Sequence, residues 1–209
     1  MIYEMRTVTL KAGAMPDFLA LNRESRSILT EYGTIEGMWV TEIGALNRVW
    51  RLCSYDSHED YRNRRAALAA DTRWQNEYLS KVSQHLLNHE TRIMNPVGPL
   101  QAPGGTGNIY EYRYYRTAPG SVARYASLME RSVAVRRKHV HDVGMWTTES
   151  GQPDEFSHMI AHSSLEARTS ERAAMNADAE WVELHREMVP LLMDARCEII
   201  LPVSWSNLQ

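Results

Sequence analysis

GMWVTEIG, residues Gly37 to Gly44, returns 107 positions later as GMWTTESG, residues Gly144 to Gly151. The same offset places Ile2, Tyr3, Glu4 and Arg6 over Ile109, Tyr110, Glu111 and Arg113, and RAALAADTRW (Arg65 to Trp74) over RAAMNADAEW (Arg172 to Trp181). After a slip of one residue, Ile93, Pro96 and Val97 meet Ile199, Pro202 and Val203. A fixed-distance match over several blocks is an internal repeat, and it sets the fold. The stretch PVGPLQAPGGTG between the copies is rich in Pro and Gly and lacks apolar periodicity, as connectors do. It divides the chain into residues 1–98, a linker at 99–107, and residues 108–209.

Each copy reads alike. A period-2 segment (Ile2 to Leu10; Ile109 to Thr117) is followed by a turn at Gly13 or Gly120. An amphipathic helix comes next, with Met15, Phe18, Asn22 and Ile28 in the first copy and Val122, Tyr125, Met129 and Val133 in the second at near-helical spacing. The Gly-Met-Trp strand and a third strand follow (Val49 to Tyr55; Phe156 to His162). Ser57 and Ser164 stand where a helix N-cap is wanted, and Asp71 and Asp178 break the second helical region. The order β-α-β-β-α-β is ferredoxin-like: α+β, with helices on one face of an antiparallel sheet. The bare sheet faces must be covered, and two copies in one chain cover each other by forming an intramolecular dimeric α+β barrel.

Composition narrows the partners. In 209 residues, 23 basic and 26 acidic side chains leave a net charge of −3, which gives no field for nucleic acid or anionic membranes. Two separated cysteines, Cys53 and Cys197, make neither a disulfide framework nor a zinc site and fit a reducing, cytoplasmic setting. No apolar run approaches the ~20 residues of a membrane span. Phosphate-loop, dinucleotide-binding, zincin and nucleophile-elbow motifs are absent, so no cofactor or metal is expected.

The blocks YEMRTVTLKAG, GMWVTEIGALNRVW and SYDSHEDYRNRRAALAAD resemble the NIPSNAP family, and the second copy keeps Tyr-Glu-x-Arg, Gly-Met-Trp-Thr-Thr-Glu and Ala-Asp-x-x-Trp. The resemblance implies ferredoxin-like barrel domains, in a superfamily that includes small monooxygenases, isomerases and haem-handling proteins. It also implies a His on the third strand, where this chain has Arg51 in one copy and His158 in the other.

Strand alternation puts Glu4 with Arg6, and Glu111 with Arg113, on one face, and Tyr3 and Met5 on the other. Neighbouring third strands bring Arg51 and Tyr55, or His158 and His162, beside those pairs. If that face closes the barrel cavity, Glu111, Arg113, His158 and His162 form an acid-base cluster for an anionic or enolic substrate, with His as base and Arg as oxyanion holder. Glu4, Arg6, Arg51, Tyr55, Trp39 and Trp146 are then substrate-binding candidates. A register-fixing salt bridge and plain aromatic core are the competing readings of the same residues. The expectation is a cofactor-independent enzyme, monooxygenase or isomerase/lyase, acting on an apolar or aromatic metabolite. A non-catalytic binding module, and haem binding through His158 or His162, remain open, as does association into homo-oligomers.

Overall fold

The computed structural model describes residues 1–209. The first half runs β1 (Ile2–Leu10), α1 (Met15–Glu24), α2 (Arg26–Glu31), β2 (Thr34–Ile43), β3 (Arg48–Tyr55) and α3 (His58–Ala70). A π-helical stretch Trp74–Leu79, a short α4 (Ser80–Val82) and β4 (Leu86–Pro96) complete it. The second half runs β5 (Ile109–Thr117), α5 (Val122–Arg136), β6 (His141–Ser150), β7 (Glu155–His162), α6 (Leu165–Ala177), α7 (Ala179–Met188) and β8 (Leu192–Pro202). Ser57 and Ser164 cap α3 and α6 by accepting from the backbone N–H of Asp60 and Ala167. Asp178 caps α7 through the N–H groups of Glu180 and Trp181. The first helical region is one element in the second half but splits into α1 and α2 at Ser25 in the first.

The eight strands close in the order β1-β3-β2-β8-β5-β7-β6-β4, which is two ferredoxin-like sheets joined at two seams. At one seam β2 pairs with β8, with Trp39 opposite Pro202; at the other β4 pairs with β6, with Pro96 opposite Trp146. The seams are therefore related by a pseudo-two-fold axis, and closure leaves no free sheet edge within the barrel.

The lumen is packed with side chains. Tyr3, Trp39, Trp50, Tyr110, Tyr112 and Trp146 fill it with Met5, Met94 and Met159. Trp39 meets Tyr110 edge-on at 5.4 Å, and Tyr3 meets Trp146 at 5.8 Å. This packing explains Gly-Met-Trp. Each Gly shares the lumen face with the Trp two residues on, and a Cβ on Gly144 would lie 2.5 Å from the Trp146 ring; Gly37 faces the same conflict with Trp39.

The Glu-Arg face, expected to close the lumen, does not do so. Tyr3 and Met5 point inward, so alternation turns Glu4, Arg6, Glu111 and Arg113 outward beneath the helices of their own halves. An aromatic face is the one that loses least by leaving water, and it takes the dry interface. Trp39 and Trp146, at 0% and 1% exposure, are lumen core and not ligand contacts. The charges that face the lumen include Arg48 with Glu198 and Arg92 with Glu155, and both pairs meet Tyr114 at one end of the barrel.

Gly144→Ala forces a methyl group into the Trp146 ring and is expected to cost about 1–3 kcal/mol by overpacking. Urea denaturation checks this; an unchanged midpoint would show that the lumen is not tightly filled.

Candidate functional site

In the second half Glu111, Arg113, His158 and His162 do share the helix-facing side of the sheet, but as packed and ion-paired groups. Glu111 is fully buried and accepts from Arg168 at 2.7 Å, Arg172 at 3.1 Å and the Cys197 thiol at 3.0 Å. Arg113 lies 3.8 Å from it and His162 Nε2 3.4 Å. Burial alone would raise the pKa of Glu111; His162, Arg168, Cys197 and Arg113 outweigh burial and hold it ionised, below the usual carboxylate range. His162 Nδ1 is 2.5 Å from Glu171.

His158 is isolated from solvent at 1% exposure. Arg136 donates to its Nδ1 at 3.2 Å, which leaves the proton on Nε2 to be donated to the Tyr115 hydroxyl, also at 3.2 Å. Burial first, then the charges of Arg136 and Arg113, push the imidazole well below its ordinary pKa. Arg136 is in turn paired with Asp142, Nε to Oδ2 at 2.9 Å. His158 is thus engaged by protein groups at both nitrogens, whereas His162 is held at Nδ1 by Glu171 and its Nε2 lies 3.4 Å from Glu111 without a hydrogen bond. The expected acid-base cluster is a structural ion network.

A cavity lies beneath the helices of the first half, against β1 and β3. It has a volume of about 250 Å³ and is lined by Arg6, Val8, Phe18, Asn22, Met38, Val49, Arg51, Arg65, Trp74, Tyr78, Leu79, Val82, Leu86 and His89. Its walls are mostly apolar, and its charges are cationic. Arg51 is 8% exposed, forms no ion pair, and its Nε has no hydrogen-bond partner. The nearby carboxylate, Glu4, is already engaged by Arg6 at 3.2 Å and by the Tyr55 hydroxyl at 3.0 Å. Cys53 beside Arg51 is neutral at pH 7, because burial raises its thiol to about 11. Burial likewise raises the pKa of Tyr78, whose hydroxyl donates to Asn22 at 3.1 Å. Of the expected substrate contacts, Arg6 and Arg51 line this cavity, while Glu4 and Tyr55 brace Arg6 from behind.

Two sequence differences open the first half and fill the second. At positions 107 apart, Val8, Phe18, Asn22 and Val49 are replaced by Tyr115, Tyr125, Met129 and Phe156. Those four are buried, and Tyr125 packs on Phe156 at 5.1 Å and on Tyr115 at 5.9 Å, where the first half has space. The other difference is the one-residue slip. It falls between Trp74 and Leu86, where the first half carries an extra residue and winds as a π-helix over Trp74–Leu79, whereas α7 is regular. The widened turn presents Trp74, stacked on Tyr78 at 4.4 Å, to the cavity.

The NIPSNAP family model matches residues 3–99 and again residues 110–207. The chain belongs to the NIPSNAP family. It is 27% identical to the human protein NipSnap homolog 3B over 212 residues, covering 99% of this chain and 85% of that protein. It is 26% identical to a Dictyostelium discoideum NipSnap homolog, with 97% and 87% covered. Among solved structures it superposes on a candidate monooxygenase from Fusobacterium nucleatum with a TM-score of 0.73 at 7% identity, covering 97% of this chain and 92% of that one. An anthrone oxidase-like protein superposes with a TM-score of 0.68 at 10% identity, with 100% and 94% covered. At these identities the structural likeness establishes the dimeric α+β barrel fold.

Within this NIPSNAP chain, sequence reasoning named Arg6 and Arg51 but weighted the second half because it holds histidines. Asn22 reads from the sequence as helix core, Val49 shares the third-strand face with Arg51 but carries no chemistry of its own, and no local signal marks His89 or Arg65. The signal that could have found the cavity was present: at the paired positions the first half carries the smaller residue.

His158 supplies a pH test of its burial. The unfolded chain protonates this residue near pH 6.5, and the native state does so only at lower pH. Native stability is therefore complete above about 6.5 and falls as acid is added, by up to ~1.4 kcal/mol per pH unit from this residue. Urea midpoints at pH 7, 6 and 5 should fall less steeply in His158→Gln than in the parent; parallel slopes would contradict the assignment.

Proposed function

We propose that this NIPSNAP protein is a small-molecule enzyme whose site is the first-half cavity, binding an apolar, weakly acidic metabolite as its anion. The observation that carries this is Arg51, a buried guanidinium with no carboxylate partner, facing a largely apolar space. A buried charge left uncompensated is costly, and an anionic oxygen of a ligand removes that cost. The size suits a compound of one or two rings, held against Phe18 and Trp74.

The chemistry follows from the charge. A cationic, water-poor cavity favours the ionised form of an enol, phenol or acidic C–H compound over its neutral form. Arg51 and Arg6 hold the developing oxyanion, and His89 at the rim takes the proton. Returning that proton to a different atom completes an isomerisation. The same electron-rich anion is also the species from which a cofactor-independent oxygenation with dioxygen starts. The fold-level likeness to proteins described as a candidate monooxygenase and as anthrone oxidase-like supports this class without naming a substrate. A carrier that binds the same anion without turning it over shares everything but the role of His89.

Titration calorimetry with 2-naphthoate and its neutral isostere 2-naphthalenemethanol tests the reading. The carboxylate should bind more tightly, and Arg51→Met should weaken it by about 30-fold, the ~2 kcal/mol of a charge-assisted hydrogen bond. Val49→Phe, which installs the second half's side chain, should abolish binding of both probes while keeping the fold. Equal carboxylate affinity in the parent and Arg51→Met would overturn the assignment.

A further inference from the structure

The seams carry four charges in an asymmetric arrangement. Arg48 Nη1 reaches Glu198 at 2.8 Å across one seam, and Arg92 Nε reaches Glu155 at 2.8 Å across the other. Glu198 also accepts from Thr41 and Glu155 from Thr148, each at 3.0 Å, and Thr41 and Thr148 are the same position in the two repeats. Arg48 corresponds to Glu155, and Arg92 to Glu198. Both arginines thus belong to the first half and both glutamates to the second. Side-chain exposures of 19% and 6% for one pair, and 10% and 8% for the other, place all four mostly out of water.

We propose that these four residues are a pairing code that lets only unlike halves close a barrel. The pseudo-two-fold axis gives the argument. If two first halves from separate chains met through the same seams, Arg48 of each would face Arg92 of the other. Two second halves would set Glu155 against Glu198. Either like-with-like barrel buries two same-sign contacts, whereas the unlike pair buries two ion pairs. Four lumen aromatics, Tyr3, Trp39, Tyr110 and Trp146, are shared at matching positions and do not discriminate; Trp50 and Tyr112, which meet at 5.1 Å, stand against Ser157 and Met5 in the other half and add a preference of size, not of charge, for the unlike pair. The code therefore guarantees that each barrel contains one open half and one filled half, and that a second copy of this chain is rejected as a lumen partner for either half of its own kind.

Full-length charge exchanges test this at constant net charge. Arg48→Glu with Glu198→Arg reverses one pair in place, and Arg92→Glu with Glu155→Arg reverses the other. Arg48→Glu with Glu155→Arg makes the same types of substitution but breaks both pairs and leaves each half self-complementary. Light scattering after size exclusion and urea midpoints are the readouts. The two in-place exchanges should keep the parent's mass and most of its midpoint. The crossed exchange should lower the midpoint clearly and at least double the mass, as like halves of different chains join, or fail to stay soluble. A crossed exchange that matches the in-place ones in mass and midpoint, or three variants that lose stability equally, would overturn the code.

Discussion

Everything in this structure depends on two sheets closing over a dry aromatic lumen. Tyr3, Trp39, Trp50, Tyr110, Tyr112 and Trp146 each remove a large area from water at ~25 cal/mol per Å². Two glycines make room for the Trp rings. Once that face is committed to the lumen, the two-residue period of a strand leaves the Tyr-Glu-x-Arg charges no choice but the helix-covered side. The proposed site therefore lies beneath the helices of one half and not between the halves.

The two halves then treat the same space differently. In the second, four larger side chains and the Arg136–Asp142 pair occupy it, and His158 is locked neutral between Arg136 and Tyr115. In the first, smaller residues and a π-helical turn leave it open, with Arg51 uncompensated. A duplicated chain that keeps one cavity and fills the other sets the proposed site on a solid support. The unpaired cation is tolerable only because the surrounding barrel supplies stability to offset it.

The fold was legible because the repeat, the strand period and the caps at Ser57, Ser164 and Asp178 are local signals that agree with one another. The family resemblance rests on the same blocks and is confirmed by the match over both halves. What the sequence left open was which sheet face turns inward. Alternation separates Glu4 and Arg6 from Tyr3 and Met5 but does not say which set meets the other half, and reading a cavity into the barrel chose the wrong one. Histidines drew attention to the second half, although a buried His between an arginine and a tyrosine is built by contacts far apart in sequence. The slip of one residue, in contrast, was visible and marks the π turn that shapes the cavity.

In the proposed site an organic anion lies in the first-half cavity against Arg51. Diffraction from crystals grown with saturating 2-naphthoate tests it most directly. The predicted result is ring density between Phe18 and Trp74 with the carboxylate at hydrogen-bond distance from the Arg51 guanidinium, and a second half still filled by Tyr115, Tyr125 and Phe156. Density for the ligand beside His158 or inside the lumen, or none near Arg51 at saturation, would contradict it.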